Sequence, residues 1–155
     1  MQTWNQTSTD IARAHTSPGV NKRIDSKVQS CVHHLAQQDP HAIGLYLVEL
    51  EREWDLNRVL TVGVSGVALA GSLVALSGGR ASRWVAALSS GALLVHGLLG
   101  FGPLAALARA AGVRTRKEID LEKFALKGLR GDFSRIPHEG GPLVRANAAL
   151  VAAQS

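Results

Sequence analysis

Two long stretches of this chain, Val59 to Gly79 and Trp84 to Ala108, contain no Asp, Glu, Lys or Arg. A bilayer core of about 30 Å calls for ~20 helical residues at 1.5 Å each, and both stretches meet that length. The first is only modestly apolar. Its Leu and Val residues contribute about 0.3–0.6 kcal/mol each toward insertion, against Thr61, Ser65, Ser72, Ser77 and several glycines. The second is longer and richer in Leu, and Trp84 at its edge suits the membrane–water interface. Ser77 to Arg83 between them makes a compact turn, so the two segments are expected to insert as antiparallel neighbours. Small residues four apart (Gly66 with Ala70, Ala86 with Ser90, Ala87 with Gly91) suit close helix packing, and any Gly/Ala-rich helix shows such pairs by chance as often.

Charge supports this division. Charged residues are 19% of the chain, below the ~25% of soluble globular proteins, and they crowd into the ends and the turn. The net charge is +5, and most of the excess lies beyond residue 108. Arg109, Arg114, Arg116, Lys117, Lys123 and Lys127 follow the second segment, while Arg80 and Arg83 occupy the turn. Because cytoplasmic flanks carry the Lys/Arg excess, both termini are expected in the cytoplasm. The opening Met1-Gln2-Thr3-Trp4-Asn5 lacks the basic start and apolar core of a secretory signal, leaving insertion to the apolar segments themselves.

The remainder reads as helix and tail. Residues 1–17 are polar and aperiodic, a flexible tail. Ser17-Pro18 starts a helix by the cap-then-proline signal. Its Val20, Ile24, Val28, Cys31, Val32 and Leu35 fall within about 120° of arc. Asp39-Pro40 repeats the signal, opening a helix with Ile43, Tyr46, Leu47, Leu50 and Trp54 on one stripe. Nothing between Trp54 and Val59 breaks it, so it is expected to continue into the first apolar segment. Phe101-Gly102-Pro103 should kink the second segment near its end, and Gly112 caps the helix that restarts there. Thr115-Arg116-Lys117-Glu118 matches a capping box and begins a basic helix that Gly131 ends. Lys123, Lys127 and Arg130 share one of its sides; Leu121, Phe124, Ala125 and Leu129 lie largely on the other. Pro137, Gly140, Gly141 and Pro142 break the tail, though Leu143 to Ala153 suits a short helix.

The fold expected is therefore all-α: a two-span transmembrane hairpin over residues 57–111. Amphipathic cytoplasmic helices precede it (18–56), and a basic juxtamembrane helix (112–133) and a tail (134–155) come after it.

From Glu49 to Phe133 the chain resembles the YgaP-like transmembrane family, a bacterial inner-membrane domain of unknown function. The resemblance rests on Leu50-Glu51-Arg52-Glu53-Trp54-Asp55-Leu56, on Gly97-Leu98-Leu99-Gly100-Phe101-Gly102-Pro103-Leu104, and on Gly112-Val113-Arg114-Thr115-Arg116-Lys117-Glu118-Ile119. Lys123-Phe124-Ala125-Leu126-Lys127-Gly128-Leu129-Arg130-Gly131-Asp132-Phe133 completes it. It implies paired transmembrane helices in a bacterial inner membrane. Such domains are sometimes joined to a rhodanese domain, for which this chain has no room. The family commonly has Gly-x-Cys-Pro where this chain has Gly102, so a thiol role there does not transfer.

Few residues suggest chemistry. His96 is the one titratable side chain deep in an apolar segment, a position that by default suggests function. No carboxylate accompanies it, which favours a neutral ring bonded to a Thr, Ser or backbone carbonyl of the first segment. Adjacent His33 and His34 point about 100° apart on a helix and cannot share a metal ion well. Cys31 lies on an apolar stripe and reads as structural, since reactive thiols need an electropositive, partly open setting. Arg114, Arg116, Lys117, Lys123, Lys127 and Arg130 are candidates to bind anionic headgroups, each worth ~1 kcal/mol near the surface. A solvated face is the plainer alternative.

No GxSxG, phosphate loop, HExxH or Cys/His cluster is present, so neither an enzyme nor a cofactor is expected, and nucleic acid is not expected as a partner. The leading expectation is a membrane anchor, scaffold or adaptor working through self-association or another membrane protein. A subunit of an oligomeric transporter or sensor with His96 in its pathway is a second, and a soluble helical-bundle interaction protein a third.

Overall fold

In the computed structural model, residues 10–76, 78–139 and 141–154 are described, and all regular structure among them is helical. The elements are α1 (Ile11–Ala14), α2 (Pro18–Leu35), α3 (Pro40–Arg52), α4 (Leu56–Leu76), α5 (Arg80–Leu99), α6 (Pro103–Ala110) and α7 (Arg116–Arg130). A 3-10 turn (Asp132–Arg135) and α8 (Pro142–Gln154) complete the order. The chain divides into two compact units. One comprises Trp54–Arg116 with the segment up to Ile24; the other comprises Asp25–Glu53 with the chain from Lys117 onward.

In the first unit α4 and α5 run antiparallel. Asn57 at the start of α4 meets His96 near the end of α5, while Gly71 lies against Ser82 and Ala86. Beyond its first turn, α4 shields Leu60, Val64, Ala68, Gly71 and Ala75, a line of mostly small residues at 3–4 spacing. A Cβ on Gly71 would stand 3.2 Å from the Ala86 nitrogen and 3.3 Å from the Ser82 oxygen. This is where the helices approach most closely among the glycines of the pair. Gly66 and Gly91, which the four-residue pairing singles out, meet nothing within 4 Å. They lie off the contact line, and Gly71 takes the role expected of them.

The segment long and apolar enough to cross a membrane lies within Pro40–Leu76, in its α4 part, and only 11% of that window is buried. The second apolar stretch is not one straight helix. It breaks at Gly100 (φ 68°), and α5 and α6 meet at an 85° bend. Gly100 ends α5 in the left-handed region, where a side chain is disfavoured, and Pro103 restarts the helix as α6. α5 begins at Arg80 rather than Trp84, so Arg80 and Arg83 belong to its first turn.

The expected continuity from α3 into α4 also fails. Glu53 takes an extended conformation (φ −62°, ψ 135°), and Asp55 Oδ1 accepts a hydrogen bond from the Arg58 backbone N–H at 2.9 Å. Asp55 thus caps a new helix, since a short carboxylate satisfies an amide that has no carbonyl partner.

Residues 1–9 of the expected tail lie outside the described residues, but 10–17 are folded. Asp10 Oδ1 accepts from the Ala12 and Arg13 amides at 3.0 and 3.4 Å and caps α1. Ile11 packs at Gly100, and His15 stacks on Phe101 with centroids 5.1 Å apart. The short segment therefore covers the bend. Ala12, Leu56, Leu60 and Ala105 form the buried cluster beneath it, joined by Phe101, Ala108 and Val113.

The second unit is built on Leu35, Ile43, Leu47, Leu50, Ile119 and Leu126, with Cys31, Val32 and Tyr46 against them. The stripes read from α2 and α3 supply most of this core. α7 is turned the other way from the sequence expectation. It buries Ile119, Glu122 and Leu126, while Phe124 and Leu129 remain 51% and 48% exposed. Its inward side includes Glu118, Glu122 and Lys127, and these charges mask it from any reading based on apolar periodicity. Tyr46 Oη donates to Glu122 Oε1 at 3.4 Å, giving one buried carboxylate a polar partner.

Replacing Gly71 by Leu should force α4 and α5 apart and lower stability by about 1–3 kcal/mol, the usual cost of overpacking. Gly66→Ala should instead be neutral or add up to ~1 kcal/mol through helix propensity. Thermal unfolding followed by circular dichroism distinguishes the two.

Candidate functional site

His96 lies three residues before the end of α5 and faces the first turn of α4. The sequence puts it deep in an apolar segment, but the bend at Gly100 ends the helix early and brings His96 to the open end of the hairpin. Its Nε2 is 3.3 Å from Asn57 Oδ1. The polar partner is thus a side-chain amide rather than a Thr or Ser hydroxyl or a backbone carbonyl. Its Nδ1 is buried and has no hydrogen-bond partner among the described residues. His96 lines a cleft of about 350 Å³ among α4, α5 and α6, otherwise walled by residues such as Leu60, Val64, Ala92, Leu104 and Ala105.

A second polar feature escapes sequence reasoning altogether. Arg109 on α6 is fully buried. Its Nε donates to Thr16 Oγ1 (3.2 Å), Nη1 to the Val113 carbonyl (3.1 Å) and Nη2 to Asn21 Oδ1 (2.9 Å). Thr16 Oγ1 donates onward to the Ala12 carbonyl at 2.6 Å, and Asn21 Nδ2 to the Arg13 carbonyl at 3.0 Å. Arg23 donates to the Ala110 carbonyl at 2.6 Å, serving the last turn of α6. A cation buried this deeply needs each of its donors met, and the N-terminal segment provides oxygens for that purpose. The one signal in the sequence is an Arg amid Leu-Ala-Arg-Ala-Ala, which looks like an ordinary flank of the apolar segment.

The six basic residues expected at headgroups are placed very differently from one another. Arg116 and Lys117 are exposed. Arg114 is buried, and Lys127, only 4% exposed, donates to the Ala153 carbonyl at 2.6 Å near the end of α8. Lys123 pairs with Glu51 at 3.1 Å. Arg130 binds Asp132 through two nitrogens, with the shortest contact 2.6 Å. The charge excess after the second apolar segment is thus drawn largely into the protein.

His33 and His34 are exposed, and no group of three or more metal-binding side chains occurs among the described residues. Cys31 is half-buried beside the core of the second unit. Comparison with protein-family models, with curated proteins and with solved structures finds no match to this chain.

Arg109→Ala should cost about 3 kcal/mol or more, because it removes charge-assisted hydrogen bonds and leaves buried acceptors unserved. Urea unfolding of the two proteins measures the loss. A pH effect is expected from Asp132. Its hydrogen bond from Arg130 holds the carboxyl below the usual carboxylate range, against the opposing effect of burial and with help from the charges of Arg130, Lys127 and Arg135. A carboxyl depressed by folding stabilises above its unfolded pKa, and that stability is lost as pH falls through the lower folded value. The wild type should therefore lose stability faster than Asp132→Asn as a titration runs down from the ordinary carboxylate range.

Proposed function

We propose that this chain is a non-enzymatic membrane protein, anchored by α4 and α5, that serves as a scaffold or adaptor for a second copy or another membrane protein. The observation carrying this reading is the outward distribution of large apolar side chains. Leu69, Leu73 and Leu76 on α4, with Leu88, Leu94 and Leu98 on α5, are all at least 60% exposed. Monomeric soluble proteins rarely expose apolar patches beyond a few hundred Å², and hydrocarbon is the medium that such a surface fits.

Dimensions and edges agree. The 21 residues of α4 extend about 31 Å at 1.5 Å each, against a core of about 30 Å. The Arg58 guanidinium lies 4.6 Å from the centre of the Trp54 ring at the start of α4, and Trp84 stands exposed just after the first turn of α5. Aromatic and basic residues at both ends of the hairpin suit the two interfaces. Within the pair, Ser65 and Ser72 turn their hydroxyls to the Thr61 and Ala68 carbonyls, which meets their polar demand inside the helix.

On this reading α6 lies along the interface after the 85° bend, with Leu104 and Leu107 exposed and Arg109 turned inward. Arg116 and Lys117 are the basic residues best placed by exposure for anionic headgroups. Both termini would lie on the cytoplasmic side of a bacterial inner membrane, in keeping with the YgaP-like resemblance. A transport pathway through His96 is less favoured, since the ring stands near the end of its helix rather than at mid-depth.

The full chain should remain with membranes through a carbonate wash. Val67→Lys, a charge at mid-α4, should cost about 2.5–3.5 kcal/mol of insertion and shift much of the protein out of the membrane fraction. Complete release of the wild type into the wash would overturn the membrane reading.

A further inference from the structure

α8 is held to its own unit along one side only. Ala152 is buried there, the helix packs against the 3-10 turn, and Lys127 donates to the Ala153 carbonyl at 2.6 Å. The other side carries Leu143, Val144, Leu150 and Val151, each at least 58% exposed, with Asn147 exposed among them. At 100° per residue these five fall within about 120° of arc centred on Asn147, on the far side of the helix from Ala152. Their spacing is symmetric. Leu143 and Val144 stand four and three residues before Asn147, and Leu150 and Val151 stand three and four after it. Reversing the helix about Asn147 therefore returns large aliphatic side chains to the same places. A surface of this kind fits a copy of itself across a two-fold axis, where residue i meets j and j meets i.

We propose that α8 pairs antiparallel with α8 of a second copy of this chain, with Asn147 on the two-fold axis. Leu143 then meets the partner's Val151, and Val144 the partner's Leu150. The inference rests on the scaffold reading, for which it names the partner. Asn147 selects a second copy over lipid or a purely apolar surface. Its amide both donates and accepts. Hydrocarbon meets neither demand, whereas a second Asn147 at the axis meets both. A lone Asn among apolar positions fixes how helices pair in coiled coils. Charge agrees with this choice. α8 has no Asp or Glu, and its one cation, Arg145, lies on the side of Ala152. A second copy thus brings no like charge to the contact, and an acidic or basic partner finds no opposite charge there. Two chains anchored in one bilayer also meet at a raised effective concentration, which helps a helix as short as α8 to pair.

The test is disulfide cross-linking of the full chain in an unfractionated cell lysate, with copper phenanthroline as oxidant and Cys31→Ser as the background. Leu143→Cys and Val151→Cys chains made together should yield a covalent dimer, and both keep Asn147. Leu143→Cys alone should yield at least tenfold less, because its two copies lie about 12 Å apart along the antiparallel pair at 1.5 Å per residue. Adding Leu150→Glu to both chains should cut the mixed dimer at least tenfold. Ala149→Glu, exposed on the other side of the helix, should leave it unchanged. All these positions are exposed, so the variants leave the core of the unit intact. No dimer from the mixed pair, an equal yield from Leu143→Cys alone, or an undiminished yield with Leu150→Glu would overturn the proposal. A fluorophore on Leu150→Cys quenched by nitroxide-labelled lipid would put the face on the bilayer, and an adduct of another mass would put it on a different protein; either overturns it too. A carbonate wash of the same lysate separates the two readings. Chains that stay embedded without cross-linking sink the α8 contact alone; chains that cross-link but leave with the wash sink the membrane anchoring alone.

Discussion

Most of the large side chains of α4 and α5 point away from the partner helix, and the line along which the two helices meet is mostly small residues, Ala68, Gly71 and Ala75 on α4 and Ala86 on α5. Gly71 against Ala86 brings the backbones together, a contact that Leu or Val at either position would prevent. A soluble helical pair is built the other way round, with bulky residues between the helices and polar residues outside, because water drives the apolar surface together. Where the surroundings are as apolar as the side chains, close packing of small residues is what remains to hold helices. The proposed anchoring and the proposed interfacial position of α6 both derive from this arrangement.

The first unit adds a polar interior of its own. Arg109 is surrounded by oxygens from Thr16, Asn21 and Val113, and α1 seals the bend through Ile11 and His15. Each of these contacts answers a demand created by the broken second segment. Gly100 and Pro103 leave backbone groups near the break without helical partners, and the turn exposes the flank of α6. The N-terminal segment supplies both polar ligands and apolar cover. The second unit likewise draws charge inward, with Lys127 on the end of α8 and Arg130 on Asp132.

Much of this is legible in the sequence where local chemistry decides the outcome. Ser17-Pro18 and Asp39-Pro40 start helices where the cap-then-proline signal puts them, and Gly112 and Gly131 stop helices with positive φ. Ile43, Leu47 and Leu50 face the core as their spacing requires. The failures share a cause, since most depend on a partner distant in sequence. α7 hides its inner side behind Glu118, Glu122 and Lys127, which only tertiary contacts can satisfy. Arg109 looks like a flanking charge until Thr16 and Asn21 are seen beside it. Asp55 is legible as a cap in principle, but the smooth apolar pattern around it makes a continuous helix look simpler. The line of contact between α4 and α5 stays hidden because Gly66 and Gly71 are equivalent by composition and differ only in which side of the helix they occupy.

The ligands of Arg109 also set an order of events during synthesis. Thr16 and Asn21 leave the ribosome 93 and 88 residues ahead of the guanidinium that they serve. At roughly 5–20 residues per second, that interval is on the order of 5–20 s. Throughout it the start of α2 has no docking partner, and α4 and α5 must already have been made. The N-terminal segment therefore closes over the bend as a late step, after the hairpin beneath it exists.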